Sequence, residues 1–328
     1  MTGKKIIFIG IGFLICFNVV AWSAVFDFLT APPLKVVFFD VGQGDAVFIE
    51  IKGLYQVLID GGPGKGVLEK LSDEMGFWDK NIDLIILTHP EKDHLEGLIF
   101  VLEQYKVDDI VWTGVKRETA VFEAWQDALT QEERQGAEIK IAQAGQKIIF
   151  SLRPLGKISP FLIFGVQAPR ETSGVESVET PEVEELALPE FSLAIIEILH
   201  PFEDLEGTEP KDSNKTSIVA KLDFGETDFL FTGDIYDSQE KEMIEQGIDL
   251  KAEVLKLAHH GSKTSSSSEF LQAVLPQIAV VSCGKNNSYG HPHQQVLERL
   301  EEYGIQALRT DEKGDITIES DGRSLIIK

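Results

Sequence analysis

The chain has 328 residues, 43% of them hydrophobic and 26% charged, a composition that supports one large folded core or two modest ones. Its 54 aspartates and glutamates outnumber 30 lysines and arginines, for a formal net charge of -24. Such a field repels polyanions at long range and argues against nonspecific coating of duplex nucleic acid, while leaving room for a site where metal ions neutralise phosphate locally.

Residues 1–30 read as a targeting or anchoring segment. A short basic start, Lys4-Lys5, precedes the uncharged, mostly apolar run from Ile6 to Phe26. Its length suits a bilayer span, and Ala21-Trp22-Ser23-Ala24 offers small residues near a cleavage point. A cleaved signal and an uncleaved membrane anchor are both compatible, as is a buried first element of the domain. With the basic flank first, the remainder is expected on the extracytoplasmic side, secreted, periplasmic or anchored.

Residues 31–328 read as one folded domain. Leu34–Asp40, Ala46–Glu50 and Tyr55–Asp60 are expected strands, separated by Gly and Pro turns. Val67–Met75 is an expected helix. Ile82–Leu87 is a strand that runs into Thr88-His89-Pro90-Glu91-Lys92-Asp93-His94, followed by a helix over Leu95–Gln104 whose N-terminus favours an anion. A strand at Asp109–Thr113 and a helix at Thr119–Gln131 come next. Residues 171–190 carry seven glutamates and no basic residue, and read as a solvated acidic insertion. A second acidic loop, 201–212, lies between strands at Ala194–Leu199 and Ser217–Leu222. Strands follow at Phe229–Thr232, Glu253–Ala258 and Ile278–Ser282, with helices at Ser238–Gln246, Phe270–Val274 and Pro292–Tyr303 and closing strands within Ile316–Lys328. With no simple βαβ repeat, two packed sheets with outer helices fit this order. Cys16 and Cys283 make no disulfide framework, and Cys283 reads as a buried thiol at a strand end.

His89, Glu91, Asp93 and His94 place imidazoles and carboxylates just beyond a strand, the donor types used for Zn2+, Mn2+ or Fe2+. Asp234 and His260 each follow another apolar strand. An aspartate can bridge two metals, and a metal pair can activate water and stabilise charge forming on phosphorus or a carbonyl. Lys92 is expected to face solvent.

The motifs Phe39-Asp40-Val41-Gly42-Gln43-Gly44-Asp45, Leu58-Ile59-Asp60-Gly61-Gly62, Thr88–His94, Asn214–Ser217, Phe231-Thr232-Gly233-Asp234, Leu255–Ser262 and Asn287–His293 resemble those of the metallo-beta-lactamase superfamily. Within it, they are similar to the hydrolase domain of ComEC/Rec2 competence proteins and their stand-alone relatives. The resemblance covers about residues 34–328. It implies a four-layer αββα sandwich with one or two divalent ions, Mn2+ or Zn2+, at the sheet edges. It implies metal ligation by His89, Glu91, Asp93, His94, Asp234 and His260, with His259 a near rival to His260. Glu91 stands where the wider family has a histidine, and Asn214 falls near where many relatives carry another. These departures favour harder ions such as Mn2+, or weak occupancy of the first metal position, and disfavour beta-lactam hydrolysis.

His291 and His293, ahead of a helix, can serve a phosphate oxygen or leaving group, with Tyr289 orienting; a capped helix start with polar surface residues is the alternative. The loop from Ser262 to Ser268 is either a phosphate binder or a plain flexible loop. Asp40, Gln43 and Asp45 read as turn residues or supports near the site, and Asp60 as the support of a histidine. The resemblance implies a DNA substrate, single-stranded or incoming, cleaved outside the cytoplasm. Alternatives are a small ester or phosphodiester, or an envelope-anchored binding module. No basic-aromatic track for nucleic acid and no protein partner is legible.

Overall fold

A computed structural model describes residues 12–19, 22, 33–76, 78–151, 161–163 and 193–328. Most of residues 1–30 and the acidic stretch 171–190 lie outside the described residues. Residues 12–19 are helical and exposed, and among the described residues no helix is long and apolar enough to cross a membrane.

Two eight-stranded sheets form the centre. In the first, β1 (Leu34–Phe38), β2 (Val47–Ile51) and β3 (Tyr55–Ile59) form an antiparallel meander. Helix α1 (Gly66–Glu74) leads to β4 (Asn81–Leu87), α2 (Lys92–Leu102) to β5 (Lys106–Trp112), and α3 (Ala120–Gln135) to β6 (Glu138–Ile141). Strands β3 to β6 pair in parallel. The second sheet begins with β7 (Lys147–Ser151), β8 (Phe161–Ile163), β9 (Leu193–His200), β10 (Val219–Phe224) and β11 (Thr227–Phe231). Helix α4 (Asp237–Glu245), β12 (Val254–Lys256), α5 (Ser268–Val274), β13 (Ile278–Val281), α6 (Gln294–Glu302), β14 (Gln306–Arg309) and the short α7 (Thr310–Lys313) complete it, with β11 to β14 parallel. The chain then returns to the first sheet, where β15 (Ile316–Ser320) and β16 (Leu325–Ile327) extend the β1 edge.

Period-two alternation explains the layering. Val36, Phe38, Leu84 and Ile86 face the second sheet and pack with Ile196, Leu222, Phe229 and Val280. Their neighbours Val37, Phe39, Ile85 and Leu87 face outward onto Leu71, Leu98 and Trp125 of α1, α2 and α3. On the far side, Leu230, Leu255 and Val281 pack under Met243, Phe270 and Val296 of α4, α5 and α6. Strands buried on both faces read as continuous apolar runs, as β4 does. The result is the αββα sandwich.

Several boundaries differ from the sequence expectation. Helix α2 begins at Lys92, not Leu95, so Asp93 and His94 sit in its first turn rather than in a loop. The strand expected through Ala258 ends at Lys256, because Ala258–Gly261 form a 3-10 turn around two left-handed residues, His259 (φ 51°) and His260 (φ 55°). Helix α6 starts at Gln294, after His293 as its N-cap.

Candidate metal centre

The chemistry-bearing side chains lie beyond the C-terminal ends of β3, β4, β11, β12 and β13, where an α/β sheet opens its crevice. Beyond β4 come Thr88 and His89, then Asp93 and His94 on α2. The loop after β3 holds this turn closely: Gly61 N donates to His94 O (2.7 Å) and Gly97 N to Gly62 O (2.9 Å). A Cβ added to Gly97 would lie 1.9 Å from Gly61 O, so only glycine permits the approach. Beyond β11, Gly233 (φ 49°) turns the chain so that Asp234 N donates to Ser217 Oγ (3.1 Å).

Each of three buried histidines has its Nδ1 occupied. His94 Nδ1 donates to Asp60 Oδ2 (2.8 Å), and His260 Nδ1 donates to Ser282 O (2.9 Å) with Asp45 Oδ1 3.2 Å away. Thr88 Oγ1 donates its one proton to Asp60 (2.7 Å) and accepts from His89 Nδ1 (3.0 Å). The Nε2 atoms of His89, His94 and His260 are thereby aimed inward. All three are buried without a hydrogen-bond partner, as is Asp234 Oδ1. Asp234 lies between them, 3.5 Å from both His94 Nε2 and His260 Nε2, and Asp93 Oδ2 is 3.6 Å from His260 Nε2. Donor atoms of His89, His94 and Asp234, and of Asp93, His94 and His260, lie within 4.8 Å of one another. Unmet polar atoms at this depth are costly, and a divalent cation satisfies them. The residues fit such an ion.

Electrostatics point the same way. Burial and the neighbouring His94 push His89 down to about 3, leaving it a neutral donor. Burial works against charge on His260, yet Asp234 and Asp45 raise it to about 9; Asp234 and Asp60 likewise hold His94 well above its ordinary value. Against the same burial, His260 and His94 keep Asp234 well below the usual carboxylate range. Protons on two imidazoles thus stand where a cation's charge belongs.

The other expected residues are placed as follows. Glu91 faces the same cavity, but its carboxylate pairs with Arg117 Nη2 (2.9 Å) and accepts from Ser213 Oγ, and it is not brought into the donor groups. His259 Nε2 is 4.0 Å from Asp234 Oδ2, and Asn214 Nδ2 is 3.5 Å from His259 Nε2. Asp40 stays in its turn, accepting from Gly42 N (3.2 Å), while Gln43 accepts from Gly284 N (3.2 Å) at the cavity wall. His291 lines the cavity, pushed down to about 4 by burial and by His260, His259 and His293. His293 accepts from Lys263 N (3.2 Å), and Tyr289 stands exposed beside His291. Ser262 is buried and bonded to Thr264 (2.9 Å). The serine loop beyond it is anchored: buried Glu240 accepts from Ser266 N and from Ser267 N (2.9 Å). The cavity holds about 200 Å³.

Sequence reading missed Lys256, Thr88, Ser217, Arg117 and Ser213 as contributors. Lys256 left one signal, a lone cation in the apolar run Val254–Ala258. It is buried against Asp45, which in turn touches His260.

The sequence profile described as "Metallo-beta-lactamase superfamily" matches residues 39–285. The chain belongs to that superfamily. Its site is that of a metal-dependent hydrolase, with histidine and aspartate clusters able to chelate a divalent ion. "ComE operon protein 3" of Bacillus subtilis is 29% identical over 303 residues, 86% of this chain and 32% of the relative. "Competence protein ComA" of Neisseria gonorrhoeae is 43% identical over 116 residues, 34% of this chain and 17% of the relative. The chain thus spans about a third or less of the length of these curated relatives. Among solved structures, Igni18, a metallo hydrolase of Ignicoccus hospitalis, is 15% identical with a TM-score of 0.46, covering 87% of this chain and 99% of that one.

Proposed function

We propose that the chain is an extracytoplasmic metallophosphodiesterase that cleaves DNA, with residues 1–30 directing or anchoring a hydrolase domain of residues 31–328. The observation that carries this is the trio of unpartnered Nε2 atoms on His89, His94 and His260, converging on Asp234 and Asp93 beneath His291. Those five residues would hold one or two divalent ions, Mn2+ or Zn2+. Bound there, the ions would supply Lewis acidity toward a phosphoryl oxygen and a nucleophile from water near neutral pH.

The chain's own groups divide the remaining work. Asp60, Thr88 and Ser282 fix the histidine tautomers, so the inward lone pairs stay aligned. His291, neutral at pH 7, can donate an N–H hydrogen bond to a nonbridging oxygen. Glu91, tied to Arg117 and Ser213, and Asn214, an amide, leave the site poor in nitrogen donors. That supports Mn2+ over Zn2+. The names of the two competence relatives support DNA as substrate, and the basic-then-apolar start of the chain supports an extracytoplasmic domain.

A small diester is the second reading, favoured by a cavity of only about 200 Å³. Purified full-length chain with Mn2+, Zn2+ or Mg2+ separates the two on labelled single-stranded DNA and methyl p-nitrophenyl phosphate. Cleavage of DNA, reduced on the order of 100-fold or more by Asp93→Asn, supports the proposal. Turnover of the small diester alone moves the assignment to the second reading, and silence on both favours another bond class, such as a small ester, or a binding role.

A further inference from the structure

Resting on the phosphodiesterase reading, we infer that Tyr289 is a stacking platform for a nucleobase next to the scissile phosphate, so that the enzyme selects unpaired, base-bearing strands over bare diesters. The cavity of about 200 Å³ is smaller than the roughly 300–1,000 Å³ that encloses a drug-sized ligand. It admits a phosphodiester group and leaves the flanking nucleosides outside. The aromatic ring waiting there is Tyr289, which lines the cavity and yet has 65% of its surface exposed.

The ring is presented, not loose. Its inner side lies against His291, with centroids 5.7 Å apart and planes 21° from parallel. The loop that carries it is braced by Asn287, whose amide donates to Gly284 O (3.0 Å) and His291 O (2.6 Å) and accepts from His291 N (2.9 Å). A large exposed aromatic on a cross-linked loop has no folding role to explain it, and stacking on a preset ring costs little ordering. Lys285, in the same loop, is exposed and has no ion-pair partner among the described residues, leaving a cation free for backbone phosphate. Tyr236 extends the row of rings through His259, 5.3 Å away, but its hydroxyl is held toward Asp212 (3.5 Å). A base that stacks on Tyr289 has left its own neighbour, which a duplex resists.

The test uses full-length chain with Mn2+ and two labelled oligonucleotides, one complete and one with a single abasic residue beside the cut. The wild type should show a KM about tenfold lower for the complete strand, within the range alanine scanning gives for one stacked base. Tyr289→Ala should erase that preference and Tyr289→Phe should keep it. A 2-aminopurine at the same position should be quenched on binding to the wild type and not to Tyr289→Ala. A wild type indifferent to the missing base, or an alanine variant that still discriminates, overturns the inference while DNA cleavage stands. Turnover of methyl p-nitrophenyl phosphate with neither strand cut also overturns it, and no turnover of any diester removes the phosphodiesterase reading itself.

Discussion

Lys256 is a charged side chain only 2% exposed, and its partner Asp45 is 3% exposed. The pair lies one contact behind the proposed metal ligands, since Asp45 Oδ1 is 3.2 Å from His260 Nδ1 and Asp45 Oδ2 is 3.8 Å from His94 Nδ1. Lys256 keeps Asp45 charged in a place where burial alone would neutralise it. Replacing the lysine by methionine strands that carboxylate, and breaking a buried pair from one side costs about 3–5 kcal/mol. Urea unfolding of Lys256→Met should show a loss of that order, and Asp45→Asn/Lys256→Met should recover part of it. A variant as stable as wild type would mean that the pair is solvated. The histidines give a second expectation. His260 sits at about 9 in the folded chain against an ordinary 6.5, raised by Asp234 and Asp45 despite burial, and His94 shifts in the same direction. A folded value above the unfolded one adds stability that is complete below pH 6.5 and is lost as pH rises through about 9. Chelated protein should therefore lose Tm steadily between pH 6.5 and 9. Metal must displace those same protons, so the Tm increment from Mn2+ should grow over that window. A flat chelated profile, or an increment that shrinks with pH, contradicts the assignment of His94 and His260 to the ion.

At the level of elements, placement of the site depends on how closely α2 approaches the end of β3. Gly97 of α2 and Gly61 beyond β3 nearly touch, and this contact sets the height of His94 over Asp60. Gly97→Ala forces backbone apart, and overpacking of this kind costs about 1–3 kcal/mol. The expected result is a lower urea midpoint together with weakened Mn2+ binding by calorimetry; lost stability with unchanged metal affinity would show that the approach matters for packing alone. Much of this was legible beforehand. The apolar runs of β1, β3, β4, β11, β12 and β13 announce themselves because both sheet faces are buried, and His89, Asp93, His94, Asp234 and His260 stand out because each follows such a run. Strands β6 and β14 carry no clear strand signal: Glu138–Ile141 alternates charge with isoleucine at a sheet edge, and Gln306–Arg309 is half polar. The local pattern delays the start of α2 by three residues because Pro90 and the charged Lys92 and Asp93 resemble loop, whereas they form a helix entry with Glu91 as an extended N-cap. The pairing of Glu91 was beyond local pattern altogether, since Ser213 is 122 residues away in sequence and only the fold brings it near.

Across the whole molecule, neither sheet owns the metal centre. The first sheet and its helices supply His89, Asp93 and His94 with their supports Asp45 and Asp60, while the second supplies Asp234, His260 and His291. The donor groups come together only when the two layers are packed, so ion binding at the proposed centre would be coupled to global folding. The charge of -24 acts on the same scale and opposes the proposed substrate. For a basic nucleic-acid binder, salt weakens association because phosphate contacts release counterions. Here the far field is repulsive, and on the proposed reading attraction comes from bound ions and from nearby cations such as Lys285, in the loop that carries Tyr289. Raising monovalent salt from 10 to 150 mM shortens the screening length from about 30 to about 8 Å, which removes the distant repulsion and leaves close contacts largely intact. At fixed Mn2+, kcat/KM for an oligonucleotide should therefore rise severalfold over that range, while the value for singly charged methyl p-nitrophenyl phosphate changes much less. A steep fall for the oligonucleotide would instead reveal a basic track outside the metal centre that dominates binding, and would reverse the view that local cations alone overcome the acidic field.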